Sequence, residues 1–299
     1  MRLTRRAILA APLFSAAGRA QAMPGWPRHV EDALGRGVFL PAPPQRIVAI
    51  FASNVELLAA LGMVPRIVGI EAYTRFPPEV VGKPLVGGRL GFSAEAIARL
   101  GADLVVMTPA RQAAGTLLDP LGRAGIPVLV VEHRDVPQVF ANIALLAEAT
   151  GTEAEAAVLL EGLRARLAAV AARLAGRTRP RVYLEVSSTG RGVFGIPRPD
   201  SYTADAVRLA GGALAFPVLH GPAQVSGEAV LRAEPDVILL AGTAAQAEAL
   251  TRRPGWEGLR AVREGRVHAV PRALLLIPGP RVVEGVEHLA PLLHRHAFA

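Results

Sequence analysis

Apolar positions along this chain fall into short unbroken runs, and segments with a three-to-four-residue repeat separate them. Beyond an opening arginine, Arg46–Phe51 (RIVAIF) and Arg66–Ile70 (RIVGI) carry no polar side chain, and Leu104–Met107 and Val128–Val131 carry none at all. Such runs read as strands buried on both faces. Between them the spacing predicts helices over Asn54–Leu61, stopped by Gly62, over Ala94–Leu100, and over Leu117–Arg123. Strands and helices in alternation predict a parallel sheet covered on both sides.

The pattern changes from Thr152 to Ala175, where there is no proline and glycine occurs only at Gly162. Leu160, Leu163, Leu167, Val170 and Leu174 recur at helical spacing, and Gly176 is a natural stop. Thr152-Glu153-Ala154-Glu155 reads as a capping box at the start. The helix would be roughly 36 Å long at about 1.5 Å per residue. Alternation then restarts, with strands expected over Arg181–Val186, Val237–Leu240 and Val267–Val270. Helices are expected over Thr203–Leu209, Glu228–Ala233 and Arg281–Leu293, with a Gly- and Pro-rich loop over Ser187–Ser201. The chain therefore reads as an N-terminal α/β lobe over 23–151, a connecting helix over 152–177 and a C-terminal α/β lobe over 178–299.

A repeat supports this division. In FSAEAIARLGADLVV (Phe92–Val106) and VSGEAVLRAEPDVIL (Val225–Leu239), Ser93, Glu95 and Asp103 recur as Ser226, Glu228 and Asp236, each 133 positions on. In both copies the serine is placed to cap a short helix, and the glutamate lies in its first turn, where the helix dipole favours a carboxylate.

Residues 1–22 read as an export signal: a basic start, an apolar run from Ala7 to Ala17 and Ala20-Gln21-Ala22 before Met23. Thr4-Arg5-Arg6-Ala7-Ile8-Leu9 points to the twin-arginine type. The signal carries four arginines and no acid, so the formal +8 falls to +4 once it is removed. That scattered excess does not describe a nucleic-acid surface. The chain has no cysteine, which excludes disulfides, thiolate metal sites and a cysteine nucleophile. With no cysteine to acylate, the mature protein is expected free in the periplasm, as a monomer.

The ordered motifs resemble the periplasmic substrate-binding proteins that deliver iron chelates and cobalamin to ATP-driven importers. PQRIVAIFASNVELLAALGMVPRIVGI resembles the family's opening strand, helix and strand. GRLGFSAEAIARLGADLVV and QVSGEAVLRAEPDVILL resemble its two lobe motifs, and PGWEGLRAVREGRVHAVP with PGPRVVEGVEHLAPLLH its C-terminal end. The resemblance implies two Rossmann-like lobes with parallel sheets, joined by one long rigid helix, with a ligand cleft between them. It also implies one carboxylate per lobe that docks on arginines of the membrane permease, at Glu95 and Glu228.

Ligands of parallel α/β sheets sit beyond the carboxyl ends of the strands. Candidates there are Ser53 and Asn54, whose simpler role is helix capping, then Tyr73, Arg75 and Phe76 in EAYTRFPP, Arg89 in GGRLG, and Arg111. The second lobe offers Arg191, Arg198 and Tyr202 in its long loop, and Arg272 after the last strand. Converging arginine forks suit an anionic chelate. Phe76 stands before Pro77 where haem-binding relatives place a tyrosine, and Trp26 and Trp256 are poorly placed for cobalamin. A ferric siderophore is therefore the expected cargo, with cobalamin or haem as alternatives. His133 is the best candidate for a bare metal, but no set of metal-ligand residues accompanies it. A two-lobed enzyme of the chelatase type is the rival class. The chain lacks a G-x-S-x-G elbow, a glycine-rich nucleotide fingerprint and an H-E-x-x-H motif, so a binding protein without catalytic residues or cofactor is expected.

Overall fold

The computed structural model describes residues 24–108 and 111–298, without the side chains of residues 111–114. The expected export signal and its cleavage site lie outside the described residues. An antiparallel hairpin, Arg28–Glu31 with Gly37–Leu40, opens the described chain.

The first sheet contains β1 (Ile47–Ala49), β2 (Ile67–Glu71), β3 (Leu85–Gly88), β4 (Gly91–Phe92), β5 (Leu104–Met107) and β6 (Val128–Val130), in the order β4-β3-β2-β1-β5-β6. All neighbours are parallel except β3 and β4. Its helices are α1 (Ala52–Ala60), α2 (Ala94–Arg99), α3 (Arg111–Arg123) and α4 (Val136–Thr150). Next comes α5, Glu153–Leu174, the long connecting helix of 22 residues. The second sheet is fully parallel, in the order β8-β7-β9-β10, from β7 (Arg181–Glu185), β8 (Ala213–Leu214), β9 (Val237–Ala241) and β10 (Val267–Val270). With it go α6 (Tyr202–Leu209), α7 (Gly227–Ala233) and the closing helix α8 (Val282–Leu293). The result is two Rossmann-like lobes joined by a long helix.

Side chains alternate across each strand, so each sheet feeds two cores. Ile47, Ala49, Leu104 and Val106 face the centre of the molecule, whereas Val48, Ile50 and Val105 face outward. In the second sheet Val182, Leu184, Val237 and Leu239 face the centre, and Tyr183, Ile238 and Leu240 face outward. The two central faces belong to one apolar cluster, which Leu160, Leu163 and Val170 of α5 and Val282, Val286 and Leu289 of α8 complete.

Polar contacts tie the lobes together. Glu56 of α1 accepts two hydrogen bonds from Arg281, from Nε at 2.9 Å and Nη2 at 2.5 Å. Arg166 of α5 forks onto Glu287 of α8 at 2.8 and 2.5 Å. Asp205 of α6 accepts from the Val136 backbone N–H of α4 at 3.3 Å.

The expected capping box at Thr152 does not form. The Thr152 hydroxyl is buried and pairs with the Thr150 hydroxyl at 2.9 Å, so it does not turn back to cap the helix. Helix α4 and the strand pair Ser187–Ser188 with Val193–Gly195 were not expected from the sequence.

Candidate functional site

A cavity of about 660 Å³ opens beyond the carboxyl ends of β1, β2, β5 and β6. Its first-lobe wall includes Phe51, Ser53, Glu71, Tyr73, Arg89, Phe92, Thr108 and His133, and Leu276, Ile277 and Pro278 close it from the second lobe. The placement follows from the topology, because parallel strands leave their loops at one end.

Phe51 ends the first strand run in a strained conformation, φ 76° and ψ 141°, which non-glycine residues rarely adopt. The turn swings the chain directly into α1, and the ring meets Phe92 edge-on at 5.6 Å. Because the helix begins at Ala52, neither Ser53 nor Asn54 caps it, contrary to the simpler expectation. Ser53 lines the cavity. Asn54 sits behind it, fully buried, and donates to the Ile50 carbonyl at 2.6 Å and to Thr108 Oγ1 at 3.3 Å.

Of the other expected residues whose side chains are described, Tyr73 and Arg89 reach the cavity wall and the rest lie elsewhere. Arg75 donates to the Ala72 and Thr74 carbonyls within its own loop. Phe76 turns toward a separate hollow, where the Arg281 guanidinium lies 3.9 Å above its ring. Exposed Arg191 sits in the turn of the Ser187–Gly195 strand pair, and Arg198 pairs with Asp200 at 3.2 Å. Tyr202 packs against the central core, and burial pushes its phenol up. Arg272 donates to the Val186 and Ala241 carbonyls at 2.8 and 3.2 Å, closing the ends of β7 and β9. The Arg111 side chain lies outside the described residues. The structure therefore does not gather the described arginines into one cluster.

Two polar wall residues, Glu71 and Thr108, went unrecognised in the sequence, and His133 was named there only as a candidate for a bare metal. Glu71 is 5% exposed and accepts from Thr74 Oγ1 at 3.1 Å. A lone charge closing the aliphatic run IVGIE was the available signal. Burial pushes the His133 imidazole down to about 4. Its neighbours Glu132 and Arg134 pair with each other at 3.4 Å.

This fixes a pH response. The unfolded chain takes up the imidazole proton near pH 6.5, before the folded protein does. The His133 contribution is therefore constant above pH 6.5 and is lost as the pH falls toward 4. Between pH 7 and pH 5 this costs about 2 kcal/mol. Urea unfolding at both pH values is expected to show that loss in the wild type and a smaller loss in His133→Gln.

The repeated motif forms the same local structure twice. Ser93 accepts from the Ala96 N–H at 3.1 Å, and Ser226 from Ala229 at 3.2 Å. Asp103 accepts from the Arg46 N–H at 2.8 Å and Asp236 from Arg181 at 2.7 Å, so each aspartate anchors the entry to its central strand. Glu95 and Glu228 project from α2 and α7 with side chains 78% and 83% exposed, beside Arg99 and Arg232 one turn on.

The sequence profile of a family described as periplasmic binding protein matches residues 47–274. The chain belongs to this family. It is a family of binding proteins, not of enzymes, and the binding protein has close counterparts in sequence and structure. It is 29% identical over 287 residues to the ABC transporter substrate-binding lipoprotein YvrC of Bacillus subtilis, covering 91% of this chain and 87% of the relative. It is also 29% identical over 215 residues to the vitamin B12-binding protein of Salmonella choleraesuis, covering 70% and 76%. The periplasmic heme-binding protein RhuT of Roseiflexus sp. RS-1 superposes with a TM-score of 0.72 at 25% identity, covering 85% of this chain and 99% of that one.

Proposed function

We propose that this is the periplasmic substrate-binding component of an ABC importer, and that its cargo is a preformed metal chelate with a broad apolar face, a corrinoid in the first instance. The composition of the cleft wall carries this reading. Phe51, Tyr73, Phe92, Leu276, Ile277 and Pro278 provide aromatic and aliphatic surface, against one arginine among the described side chains, Arg89. A corrin ring holds cobalt through its own nitrogens and carries amides around an apolar body. It therefore needs a largely apolar pocket with a few placed polar groups. The vitamin B12-binding relative supports the same choice.

A ferric siderophore, the cargo expected from the sequence, is the second reading, and Arg89 favours it. Arg89 is part of the wall, and a guanidinium pairs bidentately with carboxylate or catecholate oxygens. Delivery is assigned to Glu95 and Glu228, one on each lobe, as contacts for cationic residues of the permease.

Thermal denaturation with cyanocobalamin, haemin, a ferric hydroxamate and a ferric catecholate tests the cargo. At a hundredfold excess over its dissociation constant, the true ligand is expected to stabilise the protein by about 2.7 kcal/mol. A shift with cyanocobalamin supports the corrinoid. A shift confined to the ferric hydroxamate or catecholate replaces it with the siderophore, and no shift with any of the four overturns the chelate reading.

A further inference from the structure

One wall of the cleft holds a histidine whose hydrogen-bonding direction is set by a chain of neighbours. Arginine side chains only donate. The contact of Arg134 Nη2 with Gln138 Oε1 at 3.2 Å therefore turns the carboxamide oxygen of Gln138 toward the arginine and its NH2 group away. Gln138 Nε2 donates to Asn142 Oδ1 at 3.2 Å. Asn142 Nδ2 is left to donate to the Glu132 carbonyl at 2.8 Å and to face His133 Nδ1 at 3.2 Å. An amide NH2 facing a ring nitrogen makes that nitrogen the acceptor, so the single proton of the neutral ring sits on Nε2. Asn142 is fully buried, which shelters this orientation from exchange with water.

His133 Nε2 is buried without a hydrogen-bond partner among the described residues, although the residue forms part of the cavity wall. A buried N–H without an acceptor is unfavourable, and one sheltered from water is worth more to an acceptor that reaches it. Burial also keeps the ring neutral, so the N–H does not depend on protonation.

We propose that His133 donates a hydrogen bond to the ligand, held in that sense by Arg134, Gln138 and Asn142, and that it selects a cargo whose amide carbonyl or carboxylate oxygen can displace the wall atoms that cover Nε2. The inference rests on the cleft being the cargo site and adds the chemical group that the cargo presents there. The amide rim of a corrinoid supplies such carbonyls. The same arrangement bars His133 from ligating a metal. The Nδ1 lone pair is taken by Asn142, and Nε2 carries the proton.

Two measurements test it separately. In ligand-free protein labelled with ¹⁵N-histidine, two-bond nitrogen–proton correlations are expected to show His133 as the Nε2–H tautomer, and the Nδ1–H tautomer would overturn the inference. Affinity is then compared for cyanocobalamin or, if that does not bind, for whichever of haemin and the ferric hydroxamate binds the wild type. His133→Leu and His133→Phe are expected to weaken binding about tenfold to a hundredfold. His133→Gln, which keeps a side-chain N–H, is expected to stay within about threefold of the wild type on the same scale. Because His133→Gln separates a lost contact from lost stability, the ligand-free melting temperature at pH 7 is read beside affinity for the two apolar variants. Each of these removes an unpaired buried donor but also the acceptor of one Asn142 N–H. Wild-type affinity in both overturns the proposal. Failure of all three probes to bind overturns the ligand contact together with the proposed cargo, whereas the tautomer is decided without any ligand.

Discussion

Replacing Arg281 by methionine is expected to destabilise the protein by about 3–5 kcal/mol, the usual cost of stranding one member of a buried ion pair. Glu56 lies on α1 with a side chain only 1% exposed, and Arg281 at the start of α8 is 18% exposed. Burial pushes the Glu56 carboxyl up from its ordinary value, and the two hydrogen bonds from Arg281 oppose that shift without cancelling it. Without the guanidinium the carboxylate would be buried with no cation and no other hydrogen-bond donor among the described residues. Little room exists for it to move, since a Cβ on Gly279 would come within 2.9 Å of its Oε2. Phe76 would also lose the cation stacked on its ring. The double variant Glu56→Leu with Arg281→Met is expected to recover much of the loss, because an apolar pair removes the desolvation cost along with the attraction. Urea denaturation of the two single variants and the double variant reads this as a coupling energy. A cost below about 1 kcal/mol for Arg281→Met would show that the pair does not clamp the lobes.

Replacing Glu95 and Glu228 together by alanine is expected to abolish uptake in cells while leaving cargo affinity and melting temperature nearly unchanged. Both side chains are largely exposed, and their contacts with Arg99 and Arg232 are surface pairs within one helix. Such pairs contribute only about 0.3–0.5 kcal/mol, so lost transport could not be blamed on unfolding. Complementary charges chiefly set the rate and register of a transient encounter, and two carboxylates on separate lobes fix an orientation that one cannot. Single variants are accordingly expected to retain partial uptake. Undiminished transport in the double variant, or loss of cargo affinity in the purified protein, would remove these residues from the docking role.

Much of the scaffold was legible in the sequence because strand burial writes itself as aliphatic runs. Leu104–Met107 and Val267–Val270 are observed with the expected limits. Helix α4 was missed because VPQVFANIALLAEAT is apolar over much of its circumference and opens with a proline, so no clean stripe marks it. The site was less legible. Ser53, Tyr73 and Arg89 follow strand ends closely enough for topology to find them. Phe76 was assigned to the cleft by its loop, yet Arg281, distant in sequence, draws its ring elsewhere. His133 looked like a metal candidate because the sequence does not show which ring nitrogen Asn142 occupies.

The apolar cluster that runs from one sheet to the other carries a thermodynamic consequence. Neither lobe has a private interior on its inner side, so separating them would expose the central faces of both sheets and of α5 and α8. The lobes are therefore halves of a single cooperative unit. In calorimetry the protein should melt in one transition, with calorimetric and van't Hoff enthalpies that agree. A chain severed within α5 should yield fragments that aggregate before either one folds.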